Sequence, residues 1–354
     1  MSNETSYFYD FDINEWAELL AKTVKERPEW VRLMFMALML TVFAVGLVGN
    51  LLTCAVIYCD KSMHTATNYY LFNLGISDFI LAFGILLELR SYRKAKIDTV
   101  ADYVYVYSEV GDLICKLHSF ITLALMNNGI LNLTVLAIER YIAIWHPLLL
   151  NRKPIWRRVM KVIACIWILA ILEALPEIWT IALIKTNKLA ICFIVPTTFA
   201  RILNGVLALV TFVIPLGIMV FVYSMIAFKV NVTPRKNSRD KIFNQRNNRS
   251  RVHKLIAALT VSFLVCWLPY FTLRLLIFAS NMRHTPWYAQ NWDVLLMVTS
   301  FNSWFSIVLN PMLCSLMSTK FRRSLQVKKY CAFLKIIIEL PKEGIEPTTF
   351  HDEV

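Results

Sequence analysis

The stretch Glu139-Arg140-Tyr141-Ile142-Ala143-Ile144-Trp145-His146-Pro147 decides how this chain is read. It closes a mostly apolar run, Leu113 to Ile138, of roughly the two dozen residues that cross a bilayer as a helix. A carboxylate and a guanidinium side by side at the end of such a run neutralise each other at the membrane edge, where charges are expensive and usually functional. Pro147 then ends the helix, because the residue before a proline is pushed out of the helical region. Read alone, Glu139-Arg140-Tyr141 also fits two charges that mark where a membrane helix meets water. Six further segments of membrane length, each with its own motif, decide between these readings.

The chain has 354 residues, of which 57% are hydrophobic, and its mean hydropathy is +0.54. Soluble domains do not have this composition; repeated long apolar runs point to a membrane bundle. The net charge of +13 does not mark a nucleic-acid partner, because the basic residues gather in short stretches between apolar segments. The expected spans are Trp30–Cys59, Thr67–Leu89, Asp112–Trp145, Trp156–Thr180, Ala200–Val230, Arg251–Ser280 and Trp292–Met317. Basic residues fill the link Lys61–His64, the link with Arg152, Lys153, Arg157 and Arg158, the link 231–250, and the stretch with Lys320, Arg322, Arg323, Lys328 and Lys329. Seven alternating segments put all of these on one side, which the positive-inside rule makes cytoplasmic. The acidic amino terminus is then outside, and Asn3-Glu4-Thr5 is the sequon on that face for a glycan on Asn3.

The expected organisation is an all-α membrane protein. Residues 1–29 form an extracellular tail, 30–318 a seven-transmembrane helix bundle, 319–332 a short amphipathic cytoplasmic helix and 333–354 a cytoplasmic tail. In the amphipathic stretch Phe321 and Leu325 are four apart, with Arg322, Arg323, Lys328 and Lys329 on the other face, which suits a helix lying on membrane lipid. Cys331 can be palmitoylated there; the alternative is a solvated basic flank with a free cysteine. Of eight cysteines, only Cys115 and Cys192 face the oxidising side, where disulfides form. A bridge would pin the loop after the fourth span across the mouth of the bundle; the alternative is two buried free thiols.

Each span carries a polar or proline mark. The first holds Gly49-Asn50. The second holds Asn73-Leu74-Gly75-Ile76-Ser77-Asp78, with a carboxylate near mid-membrane that needs a partner, a proton or a cation. The fourth carries Trp167 and Pro176, the fifth Pro215 and Tyr223, the sixth Phe263 and Cys266-Trp267-Leu268-Pro269. The seventh ends in Asn310-Pro311-Met312-Leu313-Cys314. Any one of these is compatible with an ordinary kink or packing residue, since membrane helices tolerate proline. Their co-occurrence in this order and at these depths is not.

Over about residues 30–331 the chain resembles a rhodopsin-like (family A) G-protein-coupled receptor. The resemblance rests on Asn50, Asp78, the Cys115 and Cys192 pair, Glu139-Arg140-Tyr141, Trp167, Pro215, Tyr223, Cys266-Trp267-Leu268-Pro269 and Asn310-Pro311. It implies that Arg140 holds the inactive state and swings out to meet a heterotrimeric G protein, with Leu148 plugging into that partner. It implies that Trp267 reports ligand contact through Ile130, Pro215 and Phe263, and that Asp78 sits in a polar pocket that binds sodium. Thr122 stands where aminergic receptors carry an aspartate, and Trp304 where opsins carry the retinal lysine. Three runs instead resemble the neuromedin U, pyrokinin and ghrelin group of peptide receptors: Glu139–Pro147, Leu268-Pro269 with Arg274, and Met317-Ser318-Thr319-Lys320-Phe321-Arg322.

The departures are equally specific. Cys314 replaces the tyrosine usual three residues after the proline of Asn-Pro, and a thiol is a weak substitute for its hydroxyl. Leu123 stands where the peptide group often has a glutamate. Gly129 replaces the hydroxyl that commonly completes the sodium pocket. No acid at the cytoplasmic start of the sixth span can pair with Arg140, which leaves Glu139 as its expected partner. The first outer connection, Arg90 to Gly111, reads as a long loop. Near the outer ends of the spans lie Glu88, Arg90, Asp112, Glu173, Glu177, Arg201 and Arg274. Such charges either snorkel into water or line a mouth that takes a charged peptide terminus, with Glu88 and Arg274 as contacts.

The sequence therefore points to a plasma-membrane receptor for an extracellular (neuro)peptide that activates a heterotrimeric G protein. The competing readings are a divergent receptor with weak coupling or a non-peptide ligand, and a transporter or channel subunit. Neither repeated halves nor polar pore rings are visible. No nucleophile–base pair or metal cluster suggests an enzyme, and no cofactor is implied.

Overall fold

The computed structural model describes residues 28–93, 101–146, 154–185, 190–194, 197–232, 240–279, 286–318 and 321–323. Helix α1, Glu29–Cys59, starts behind Pro28 with an acid in its first turn. It ends at Asp60, whose extended backbone breaks the helix and whose side chain accepts from Ser62 N at 2.8 Å to start a short 3₁₀ turn, Lys61–Met63. Helix α2 covers Ala66–Arg93 and α3 covers Ala101–Trp145. Within α3, Gly111 has φ 78°, a positive value that glycine adopts without a Cβ clash, and the chain changes direction there. Residues 101–110, expected as part of a loop, are thus helical up to that break.

Prolines shape the next two helices. Helix α4, Ile155–Ala174, stops short of Pro176, and a single turn, Glu177–Thr180, follows. Together they make the expected span, Trp156–Thr180, with the break at the proline, whose missing N–H interrupts the ladder. Helix α5 runs through Thr198–Ala208, widens into a π turn at Leu209–Val213 and continues as Ile214–Val232. The wide turn sits just before Pro215, whose ring crowds the carbonyl four residues back. At the start of α5 the Thr197 side chain accepts from Ala200 N at 3.1 Å. Helix α6 is Asp240–Ala279, beginning earlier than the expected Arg251, and α7 is Pro286–Met317.

The helices close a ring. α1 packs on α2 and α7, α2 on α3, α3 on α4 and α5, α5 on α6, and α6 on α7. α3 is the most enclosed, touching α2, α4, α5 and α6 as well as a hairpin, β1 Ile181–Lys185 and β2 Ala190–Ile194. The hairpin is antiparallel with Leu183 opposite Cys192. Its anchors are the Cys115–Cys192 disulfide and Asp112 Oδ1, which accepts from Leu183 N at 2.8 Å.

Among the described residues six helices are long and apolar enough to cross a membrane, namely α1 to α6, and α7 completes the ring between α6 and α1. Side-chain placement follows the bilayer as solvent. Large apolar residues such as Leu38, Val48, Leu169, Leu172, Val220, Phe221 and Val265 point outward, while Asn50, Asp78, Asn128, Asn132 and Ser303 are buried inside. Close helix contacts use missing side chains: a Cβ on Gly49 would meet Pro311 Cγ at 2.8 Å, and one on Gly84 would meet the Trp304 ring at 2.6 Å. Beyond α7, Phe321 is buried with Val56 and Met63 against the last turns of α1. Asn3, Leu148 and Cys331, and most of 319–332, lie outside the described residues.

The disulfide closes a loop of 77 residues in separation, and a cross-link of that reach contributes about 2–4 kcal/mol. Cys192→Ser should lower surface expression at equal total expression and lower the melting temperature of purified, detergent-solubilised protein. An unchanged melting curve would show that the Asp112 anchor holds the hairpin unaided.

Candidate functional site

Polar side chains run down the inside of the bundle. Asn73 of α2 is their hub: its Nδ2 donates to Asn128 Oδ1 at 3.1 Å and Asn132 Oδ1 at 3.2 Å, and its Oδ1 accepts from Trp167 Nε1 at 2.9 Å. Ser77 Oγ donates to the same Asn128 oxygen at 2.9 Å, and Asn132 Nδ2 donates to Tyr70 O at 2.9 Å. Asn50 Nδ2 donates to Gly46 O and, across to α7, to Ile307 O, both at 2.9 Å. Asp78 Oδ2 accepts from Asn310 Nδ2 at 2.7 Å, and Pro311 packs on Gly49. Cys314, one turn further, is buried.

Asp78 is where the resemblance places a sodium ion, and its surroundings lack the hydroxyl from α3 that commonly completes such a pocket. Such an ion needs several oxygen ligands, but one carboxylate oxygen is engaged by Asn310. Gly129 offers no oxygen, and Phe263 fills that side, 3.1 Å from where a Cβ would stand. The Ser306 hydroxyl donates to Ser303 O at 2.7 Å. Among the described residues no group of three or more His, Cys, Asp or Glu side chains could hold a metal ion.

At the end of the bundle opposite the disulfide, the two charges of the Glu139-Arg140 pair are claimed by different helices. Glu139 is buried and its Oε2 accepts from Arg158 Nη2 of α4 at 3.0 Å. Arg140 turns inward and donates to the Thr67 hydroxyl of α2. Glu139 thus acts on Arg140 as a neighbouring charge, while the direct bonds of the two run to different helices, Arg140 to α2 and Glu139 to α4. The sequence concealed this because Arg158 reads there as one more basic link residue. Tyr141 stacks on Trp145 with centroids 5.9 Å apart, and Lys229 of α5 lies 4.0 Å over the Trp145 ring. The Tyr223 hydroxyl bonds Thr260 Oγ1 of α6 at 2.9 Å.

At the disulfide end, Arg274 is not a rim charge in water; it is 4% exposed. Its Nη2 donates to Glu177 Oε2 at 2.9 Å and to Asn204 Oδ1, and its Nη1 donates to the Tyr270 hydroxyl at 3.1 Å. Three segments thus meet on one guanidinium: the turn after α4, the start of α5, and α6. Leu123 of α3 is buried, and the carboxylate that pairs with Arg274 comes from Glu177. Thr122, beside it, is partly buried. Below the pair, Tyr270 meets Trp267 edge-on at 5.9 Å, and Trp267 lies 5.8 Å from Phe263. Ile130, Pro215 and Phe263 are all buried beneath. Glu88 belongs to the outer part of α2, and its side chain is outside the described residues.

A ring of seven helices with a disulfide-pinned hairpin at one mouth and an inward-turned arginine at the other defines a transmembrane receptor. The model of the rhodopsin family of seven-transmembrane receptors matches residues 49–313, and the chain belongs to that family. It is 28% identical to the neuromedin U receptor homolog nmur-2 of Caenorhabditis elegans, over 88% of this chain and 84% of the relative. It is 27% identical to the pyrokinin-1 receptor of Drosophila melanogaster, over 80% of this chain and 76% of that receptor. It is 29% identical to neuromedin-U receptor 1 of Mus musculus, over 80% and 70%.

Removing Arg274 alone leaves Glu177 as an uncompensated buried charge, which costs about 3–5 kcal/mol. Arg274→Met should therefore lower the melting temperature strongly. Adding Glu177→Gln should restore most of the loss, because a neutral pair of similar volume is close to neutral in energy. Additive losses in the double variant would show that the two side chains act separately.

Proposed function

We propose that this chain is a plasma-membrane receptor, amino terminus outside, that binds an extracellular (neuro)peptide and activates a heterotrimeric G protein. The carrying observation is the Arg274–Glu177 pair, set over Trp267 at the disulfide end. It is neutral overall, yet it holds a cationic donor and an anionic acceptor side by side. A carboxamide terminus matches both, since its carbonyl can accept from Arg274 while its N–H donates to Glu177. A free carboxylate would meet Glu177 as a like charge. Glu88, from α2, supplies a separate anionic contact for an arginine of the peptide. The names of the relatives, neuromedin U and pyrokinin receptors, agree with this ligand class.

Signalling follows as a population shift. The arrangement with Arg140 held on Thr67 and Tyr223 held on Thr260 is the resting one. A ligand that binds the open-inside state more tightly moves the equilibrium by its differential affinity. Glu139, Arg140, Tyr141, Leu148, Tyr223, Asn310, Pro311 and Cys314 form the coupling set, while Thr122, Leu123 and Trp267 line the ligand's side. A glycan on Asn3 and an acyl chain on Cys331 belong to the same reading, with Cys331 and the basic face of 319–332 held to lipid. The second reading, a receptor that binds peptide but couples weakly, draws on Cys314: its site is buried and lacks a tyrosine hydroxyl to join an active-state network.

Arg140→Ala should leave peptide binding intact within about threefold and abolish G-protein activation at matched surface expression. Signalling equal to the parent would overturn the reading at its centre. Glu88→Gln should weaken an arginine-bearing amidated peptide by about 2–5 kcal/mol, and its arginine-to-alanine analogue far less. The measurement is a double-mutant cycle on binding affinity; purely additive effects would place Glu88 in water.

A further inference from the structure

Pro269 lies inside α6. It has no N–H, so the carbonyl four residues back, on Val265, loses its helical donor, and the proline ring forces that turn open. In hydrocarbon bulk water cannot replace the missing donor, and a group within the protein takes its place. Asn302 of α7 does so. Its Nδ2 donates to Val265 O at 3.0 Å and to Cys266 O at 3.1 Å. One amide nitrogen with two protons meets two carbonyls of a single turn. That turn also carries Trp267, which packs on Phe263 and Tyr270.

We propose that Asn302 is a positioning residue of the signalling switch: it clamps the proline-opened turn of α6 to α7 and so holds α6 in its resting place. This rests on the reading of the chain as a G-protein-activating receptor. A swing of α6 about the Pro269 kink moves these carbonyls relative to α7. A hydrogen bond at 3.0–3.1 Å tolerates only a few tenths of an ångström before it weakens. The clamp is seen together with an inward-turned Arg140, so it stabilises the resting arrangement, and its loss favours the swung one. The partner of the orphaned carbonyl is thus a specific side chain, and Pro269→Ala, which returns the N–H, removes the need for it.

The test uses the full chain, purified in detergent. Asn302→Leu should lower the melting temperature by about 2–4 °C, and by much less in the Pro269→Ala background. Asn302→Gln, which keeps both donor protons, should retain most of the parent's stability. In the same preparations, nucleotide exchange on purified Gs-, Gi- and Gq-type heterotrimers without added ligand should rise about threefold to tenfold in Asn302→Leu and stay near the parent in Asn302→Gln. An equal thermal loss in both backgrounds, or a Gln variant as damaged as the Leu variant, overturns the clamp. An exchange rate unchanged by Asn302→Leu on a heterotrimer that the parent activates overturns the switch role. If neither parent nor variants act on any heterotrimer while the thermal cycle shows the coupling, the clamp stands and the receptor reading is what fails.

Discussion

The Asn73 amide is the contact on which the arrangement of α2, α3 and α4 depends. With no water in a bilayer core, each polar group must find a partner within the protein. Asn73 places its nitrogen between Asn128 and Asn132 of α3 and its oxygen under Trp167 of α4. Three helices are held at one register by bonds that cannot be exchanged for solvent. The close helix approaches elsewhere follow the same economy of shape: Pro311 fills the space left by Gly49, and Trp304 the space left by Gly84. Where helices cannot press together through apolar burial against lipid, this fit and these buried bonds supply the association.

The charges obey the same constraint, and it sets how they function. Four charges inside the bundle are tied to other elements: Glu139 to Arg158, Arg140 to Thr67, Arg274 to Glu177 and Asn204, Asp78 to Asn310. Such ties are weak grounds for stability, since desolvation offsets much of their attraction. Their value lies in specifying one arrangement that another set of contacts can replace. At the disulfide end a donor and an acceptor are held together, buried and neutral as a pair. At the opposite end Arg140 is bonded to a hydroxyl rather than directly to a carboxylate, a contact that a protein partner can replace.

Between these ends lies a column of aromatic and branched residues from Tyr270 through Trp267 and Phe263 to the face of α3 at Gly129 and Ile130. Gly129 lets the Phe263 ring approach α3, so the position that departs from the usual hydroxyl is occupied by packing rather than left for an ion. Packed columns of this kind move between discrete arrangements rather than bending gradually. The prolines inside α5, α6 and α7 localise where such a change can occur, because each removes one bond from a ladder that otherwise resists it.

The helices and their order were legible in the chain, because apolar length is a local property set by the bilayer. The disulfide was legible as well, since topology left two cysteines on the oxidising side. Proline was legible as a breaker, yet its consequence was not. The sequence marks Pro176, Pro215 and Pro269, whereas a broken end, a π turn or a carbonyl capped from another helix is settled by what lies alongside. Pairing was the larger gap. Glu139 is adjacent to Arg140 in sequence but spends its carboxylate on Arg158, and Arg274 looks like a rim charge until Glu177 and Asn204 enclose it. Thr67 and Asn302 carry no local signal, being ordinary polar residues on apolar helices. Chain composition dictates that buried charges and orphaned carbonyls must be satisfied; only the packing of seven helices decides which side chain is near enough to do it.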